Sequence, residues 1–402
     1  MPISHHRRSS VVLALGIAQT LGWGSTYYLP AILAAPMARD FAVSTEAVYG
    51  IFSAAMLLSA FIGPMVGQRI DRFGGRQVLS LSSLVFAAGL GLTGLAPNIV
   101  LYGLGWMITG LGMAMGLYEA GFATLTAIYG SSARNAITGI TLLAGFASTI
   151  CWPISALIEA EWGWRAACLT WAAAHLVIGL PIHRLLIPTT LAAERLAPAP
   201  EPDAAAAPPA AGEESLFSRP MLLMAFAFAV TWITSTAMAA HLPRILEMAG
   251  ASRAEAVTAA ALVGPAQVAA RFLEFSLLRR LHPLLSARLA TITHPIGAAL
   301  VLLFGAPAAY LFTILHGAGN GVMTIAKGTL PLAIFGPVGY GRRQGWLAAP
   351  TRFGQAFAPL IFALLLERFG TYVLLFSSAL CLSAGIAMLL LRGADTAAKA
   401  EA

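Results

Sequence analysis

The feature that most constrains this chain is the recurrence of apolar runs about 20 residues long, each bounded by a few charged or turn-forming residues. A helix rising 1.5 Å per residue needs about 20 residues to cross the hydrocarbon core of a bilayer. Twelve runs on that scale can be marked: 11–35, 46–66, 77–96, 98–128, 135–158, 164–187, 219–241, 253–277, 285–305, 307–334, 345–366 and 370–391. The breaks near 97 and 306 rest on Pro97-Asn98 and Ala306-Pro307, dipeptides that interrupt a helix. Composition agrees. A chain of 402 residues with 58% hydrophobic and only 10% charged side chains is too apolar for a water-soluble globular protein. The expected class is an all-α, polytopic membrane protein with twelve transmembrane helices.

The cations set an orientation. Of the 24 lysines and arginines, the gaps and tails on one side hold Arg7, Arg8, Arg69, Arg72, Arg76, Arg134, Arg184, Arg195, Arg219, Arg279, Arg280, Arg288, Arg342, Arg343, Arg392 and Lys399. The other side holds Arg39, Arg165, Arg244, Arg253 and Arg368, so the positive-inside rule predicts both termini in the cytoplasm. The net charge of +7 is scattered between apolar runs rather than gathered on a solvated face, which argues against a nucleic-acid partner. The first run has no short apolar core followed by a cleavage site and reads as a retained anchor.

Residues 188–218, rich in Ala, Pro and Glu, cannot bury a core and read as a flexible cytoplasmic linker. They divide the chain into a six-helix half, 1–187, a second half, 219–392, and a tail, 393–402. The halves echo each other. Thr109-Gly110-Leu111-Gly112 matches His316-Gly317-Ala318-Gly319, Trp162-Gly163 matches Phe369-Gly370, and Ala127-Ile128-Tyr129-Gly130 matches Ala333-Ile334-Phe335-Gly336, all at an offset of 206 or 207. Two six-helix pseudo-repeats place a site at their interface near the bilayer midplane and imply alternating access.

Gly67-Gln68-Arg69-Ile70-Asp71-Arg72-Phe73-Gly74-Gly75-Arg76 is a charged hairpin between the second and third runs. Gly67, Gly74 and Gly75 permit the backbone conformations of a tight reversal, and Asp71 can accept from helix-terminal N–H groups or an arginine. With Gly67, Asp71, Arg72, Gly74 and Arg76 in place, the hairpin resembles the signature loop between helices 2 and 3 of the major facilitator superfamily. Topology, linker and duplication extend the resemblance over the whole chain. It implies that helices 1, 4, 7 and 10 line a central cavity and that the hairpin latches the outward-open state. Within that superfamily the chain resembles the monocarboxylate and organic-anion porters, through Gly22-Trp23-Gly24 and through Tyr129, Arg134 and Gly139. It departs from them at Ser131-Ser132-Ala133 and in carrying Gln267 and Arg271 where those porters pair an aspartate with an arginine. The drug/proton antiporters are matched less well, with Trp106 near the place of their helix-4 arginine.

Ionisable side chains inside membrane segments are expensive and mark function by default. Glu119 and Lys327 stand at nearly equivalent points of the two repeats and can form either a breakable pair at a charged substrate's site or a permanent structural pair. Arg352 can bind a carboxylate bidentately or snorkel to the interface. Arg271 and Glu274, three apart on one helical face, fit a latch in the second half or a substrate role. His294 and His316 can relay protons or simply pack. Gln19, Trp23, Tyr27, Tyr28, Trp232, Thr236 and Asn320 are candidates for the cavity lining.

No catalytic constellation, phosphate-cradling Gly-Lys-Ser/Thr loop or metal-ligand spacing occurs, so no enzyme activity, ATP drive, cofactor or metal is expected. Cys151, Cys168 and Cys381 read as buried, inert thiols. The expectation is a monomeric, proton-coupled secondary transporter of a small organic anion in a membrane of the bacterial inner type. The alternative is an efflux pump for a drug or toxic compound, a metalloid included.

Overall fold

The computed structural model describes residues 5–189, 216–278 and 282–391, and its helix order follows the apolar runs. Most of the expected linker, the tail 393–402 and the cations Arg195, Arg279, Arg280, Arg392 and Lys399 lie outside the described residues.

The first half holds α1 (His5–Ser25), α2 (Pro30–Asp40), α3 (Thr45–Phe73), α4 (Gly75–Leu95), α5 (Ile99–Gly116), α6 (Tyr118–Tyr129), α7 (Arg134–Ala144) and α8 (Ala147–Ala174). The second holds α9 (Arg219–Met248), α10 (Arg253–Ala261), α11 (Val263–Leu273), α12 (Pro283–Phe304), α13 (Ala309–Phe335), α14 (Tyr340–Phe369) and α15 (Val373–Leu390). Among the described residues, 7 helical stretches are long and apolar enough to cross a membrane. Two of them, Ile99–Leu186 with 88 residues and Tyr340–Leu390 with 51, are far too long for one crossing. Glycines at positive φ divide them: Gly130 (+56°) and Gly163 (+81°) cut the first into three, and Gly370 (+57°) cuts the second into two. With α1–α2 and α13, whose polar side chains lower their hydropathy, twelve crossings result.

The duplication is built into the backbone. Gly130 and Gly163 have positive-φ counterparts at Gly336 and Gly370, 206 and 207 residues on. Ser44 caps α3 by accepting from Ala47 N–H, and Ser252, 208 residues on, caps α10 in a capping box with Glu255.

Each half packs around its own apolar clusters, such as Leu29, Leu33, Met37, Tyr102 and Trp106 in the first and Met238, Ile245, Phe312, Phe362 and Leu374 in the second. The outer faces are bare of such cover. Val177, Leu303 and Phe61 are 73%, 75% and 72% exposed, a surface that only lipid can accept. Contact between the halves runs chiefly through α3 against α14, with α6 on α14 and α7 on α13 and α11. Gly67, Gly63, Gly341 and Gly345 let the α3 and α14 backbones touch: a Cβ on Gly67 would overlap the Gly341 carbonyl.

The hairpin is tighter than the sequence predicts. α3 continues to Phe73 and the reversal is made by Gly74 alone, at φ +77°. Gly67 and Gly75 are helical, and their smallness serves packing, Gly67 against α14 and Gly75 against Thr124. The eleventh crossing also begins earlier than expected, at Tyr340, because Gly339 at φ +65° turns the chain directly into the helix.

Candidate functional site

The fourth crossing is broken in the middle. α5 stops at Gly116, Leu117 is extended (φ −87°, ψ −168°), and α6 starts at Tyr118. Backbone that leaves the helix at membrane depth must find partners inside the protein. Gln19 supplies one: its Nε2 donates to Gly116 O at 2.7 Å from a fully buried position on α1. Gln19 thus seals the break rather than lining open space. The break sets Glu119 in the first turn of α6, facing the second half.

Two cations meet it there. Lys327 Nζ on α13 lies 2.7 Å from Glu119 Oε1, and Arg352 Nη2 on α14 lies 2.8 Å from Glu119 Oε2. Lys327 and Arg352 are buried and the Glu119 side chain is 11% exposed; Arg352, three turns into α14 and only 6% exposed, does not snorkel. The Lys327 ammonium also stands 5.2 Å from the centre of the Trp232 ring. Gln344 Nε2 donates to Lys327 O at 2.8 Å and Tyr340 Oη to Gly328 O at 2.6 Å, which fixes α13 against α14. One carboxylate facing two cations leaves the cluster with an excess positive charge.

Arg271 adds a third cation. Its guanidinium donates to Thr141 O (3.0 Å), Gln267 Oε1 (3.2 Å) and Thr324 Oγ1 (3.3 Å), all neutral oxygens, and among the described residues its Nε has no acceptor. Thr324 lies one turn before Lys327 on α13, so Arg271 joins the same wall. Arg271 and Glu274 do not act together: Glu274 turns to Arg134 at the start of α7, 3.6 Å away.

Facing these charges, the first half presents rings. Trp23 packs on Tyr27 and Tyr118 with centroids 5.2 and 4.9 Å apart, Tyr27 on Phe52 at 5.9 Å, and Tyr118 stacks on Phe122 at 5.2 Å. Gln355, one turn beyond Arg352, closes the circuit by donating to Tyr27 Oη (3.2 Å) and to Thr236 Oγ1 on α9 (3.1 Å). Asn320 is half-buried on α13, one turn before Thr324. The sequence reading missed Gln355 and Tyr118, although each is within one turn of a residue it chose.

Two buried histidines of the second half, His294 and His316, come together away from this cluster. His294 Nδ1 is 3.0 Å from His316 Nδ1, and His294 Nε2 is 2.9 Å from Ser377 Oγ. Ser377 gives its own proton to Leu374 O, so His294 donates to Ser377 through Nε2 and accepts from His316 through Nδ1.

At the hairpin, Asp71 reaches across the halves. Its two carboxylate oxygens accept from Gly341 N–H (2.7 Å) and Arg342 N–H (2.8 Å), the open N–H groups of the first turn of α14. The arginines look elsewhere: Arg76 donates to Arg184 O within its own half, Arg69 covers Phe73, and Arg72 is exposed. The three cysteines are buried and unpaired, and among the described residues no three His, Cys, Asp or Glu side chains are grouped to hold a metal.

Known structures share this architecture. The proton:xylose symporter XylE bound to 6-bromo-6-deoxy-D-glucose superposes with a TM-score of 0.75 at 13% identity, over 96% of each chain. FucP in its outward conformation gives 0.71 at 15% identity, over 94% of this chain and 97% of that one. The human organic anion transporter MFSD10 (TETRAN) gives 0.68 at 16% identity, over 96% and 100%. These likenesses carry the fold. The family model of the Major Facilitator Superfamily matches residues 13–326, and with the twelve crossings, the duplicated halves and the Asp71 hairpin this multi-pass membrane protein belongs to the Major Facilitator Superfamily.

Proposed function

We propose that the chain is a secondary active transporter that moves a small organic anion, carboxylate-like in its charged group, together with a proton. The observation that carries this reading is the sharing of Glu119 between Lys327 and Arg352, with Arg271 bonded only to neutral oxygens beside them. A site with surplus buried cations favours an anion that can pair with them. The fold does not decide the substrate, since neutral sugars and organic anions both appear among the structures of this shape.

The mechanism follows from competition for the same cations. An incoming carboxylate takes the Lys327 ammonium and the Arg352 fork, whose planar geometry suits two oxygens. Glu119, released from both, then holds a buried negative charge without a partner and takes up a proton. Substrate and proton therefore ride together. The halves 1–187 and 219–392, joined by 188–218, rock about the site, and the hairpin end is closed here by Asp71 on α14 and by Arg134 on Glu274. We propose a monomer in a plasma membrane of the bacterial inner type; the charge bias between the gaps supports both termini being cytoplasmic. Efflux of a soft metalloid through thiolates finds less support, because Cys151 and Cys168 on α8 and Cys381 on α15 form no common site.

The test is uptake of labelled organic acids into proteoliposomes under an imposed pH gradient. Uptake is expected to collapse with a protonophore and to fall at least tenfold in Lys327→Ala and Arg352→Ala. Normal transport of the same acid by both variants would remove the reading.

A further inference from the structure

The walls of the site differ in chemistry, and that difference bears on what is attached to the anionic group. The second half contributes cations and amides, Lys327, Arg352, Arg271 and Gln355, with the Trp232 ring beside Lys327. The first half contributes Glu119 and a cluster of ring faces. Trp23 sits at the centre of these rings, in contact with Tyr27, Tyr28 and Tyr118 at centroid separations of 5.2, 6.1 and 4.9 Å. Tyr118 is the residue next to Glu119, so the ring wall begins where the charge ends. Tyr27 is tied by Gln355 to the helix that carries Arg352, only three residues from it. Trp23 and Tyr27 are half-buried, so part of each ring is left uncovered, and Tyr118 is 9% exposed beside them.

A short aliphatic acid would engage the cations and leave this wall bare. A flat apolar group carried directly on the carboxylate would reach it. Aromatic faces prefer offset or edge-on ring partners, and such pairs are worth more than the area they bury. We propose that the substrate is an aromatic carboxylate, its anionic end on Lys327 and Arg352 and its ring against Trp23, Tyr27 and Tyr118. The inference rests on the anionic reading given above and adds the ring to it.

Binding to the purified full chain in detergent, followed by the rise in thermal unfolding midpoint over a concentration series, separates the two claims. The probes are acetate, cyclohexanecarboxylate, benzoate and benzamide. Benzoate is expected to act at concentrations about tenfold below acetate and well below cyclohexanecarboxylate, with benzamide inert, a gap of the size that one good aromatic contact supplies. Trp23→Leu is expected to narrow the gap between benzoate and acetate from about tenfold to less than about twofold, and Arg352→Ala to lose both. If Trp23→Leu does not fold, Tyr27→Leu reads the same wall. Equal effects of benzoate and acetate, equal effects of benzoate and cyclohexanecarboxylate, or a benzoate advantage that survives both leucine variants would overturn the aromatic inference and leave the anionic reading standing. Benzamide acting as well as benzoate, or no response to any carboxylate, would overturn both.

Discussion

Lys327 Nζ stands 2.7 Å from Glu119 Oε1, and the two residues are 208 positions apart, close to the offset that relates the two halves. Each half thus brings one charge to the same point, and Arg352 joins on the other carboxylate oxygen. Nearly all of the exposure that these groups would have in water has been removed, so their mutual pairing keeps them tolerable.

Removing the carboxylate should therefore be costly. Glu119→Gln leaves Lys327 and Arg352 facing each other without an anion, and breaking a buried pair from one side costs about 3–5 kcal/mol. Adding Lys327→Met takes away one of the two stranded charges, so the double variant is expected to unfold at a higher temperature than Glu119→Gln alone. Thermal unfolding of the purified single and double variants measures this, and simple additivity of the two losses would contradict the shared-carboxylate account.

The hairpin contact makes a second prediction. Asp71→Asn keeps the shape of the side chain but removes the charge that accepts from two N–H groups at the start of α14. For a contact at the surface, the loss is expected to be about 1 kcal/mol, or a roughly fivefold shift toward opening at this end. Gly67→Ala acts through sterics instead: its Cβ would overlap the Gly341 carbonyl, so α3 and α14 cannot approach, and transport should fall more than tenfold. Spin labels at the exposed positions Gln77 and Val338 should report a longer distance in both variants, and an unchanged distance in Gly67→Ala would count against this contact as the closing surface.

Arg134 and Glu274 differ in burial, and their variants should differ accordingly. The Glu274 side chain is 2% exposed and that of Arg134 24%. Arg134→Ala strands a buried carboxylate, whereas Glu274→Gln strands a cation that water already reaches. The first is expected to lower stability more than the second by about 1–2 kcal/mol. Unfolding midpoints for the two variants, measured at the same pH, check the order, and the reverse order would mean that Arg134 draws its stability from elsewhere.

The sequence foretold the crossings because a lipid-spanning helix writes its length directly into an unbroken apolar run. It pointed to Glu119, Lys327 and Arg352 because a charge stands out sharply in such a run, and the structure brings these three side chains together. What it did not carry were features set by neighbours far along the chain. The break at Leu117 has no proline or glycine at its own position and is held by Gln19, which approaches from α1 and whose polarity had suggested cavity lining. Arg271 and Glu274 share a helical spacing, yet their partners come from Thr141 and Arg134 on α7. Gln355 looked like any glutamine until Tyr27 and Thr236 came within reach of it. The hairpin glycines were read as turn-makers, whereas two of the three are packing residues whose contacts lie on α14 and α6.

The backbone logic of the long helical stretches yields the last prediction. Gly163 and Gly50 both have room for a methyl group, since neither would meet a neighbour within 4 Å of an added Cβ. Space is thus equal and only conformation differs. Gly163 adopts φ +81° and ψ +167°, a region that is essentially glycine's alone, and it separates the fifth crossing from the sixth. Gly163→Ala should therefore cost about 1–3 kcal/mol with no steric clash at all. Gly50 lies inside α3 in ordinary helical backbone, where alanine lowers the entropy of the unfolded chain, so Gly50→Ala should gain about 0.5–1 kcal/mol. The two variants carry the same chemical change, and thermal unfolding should move their midpoints in opposite directions. Movement in the same direction would mean that Gly163 does not need its positive φ to turn the chain back across the membrane.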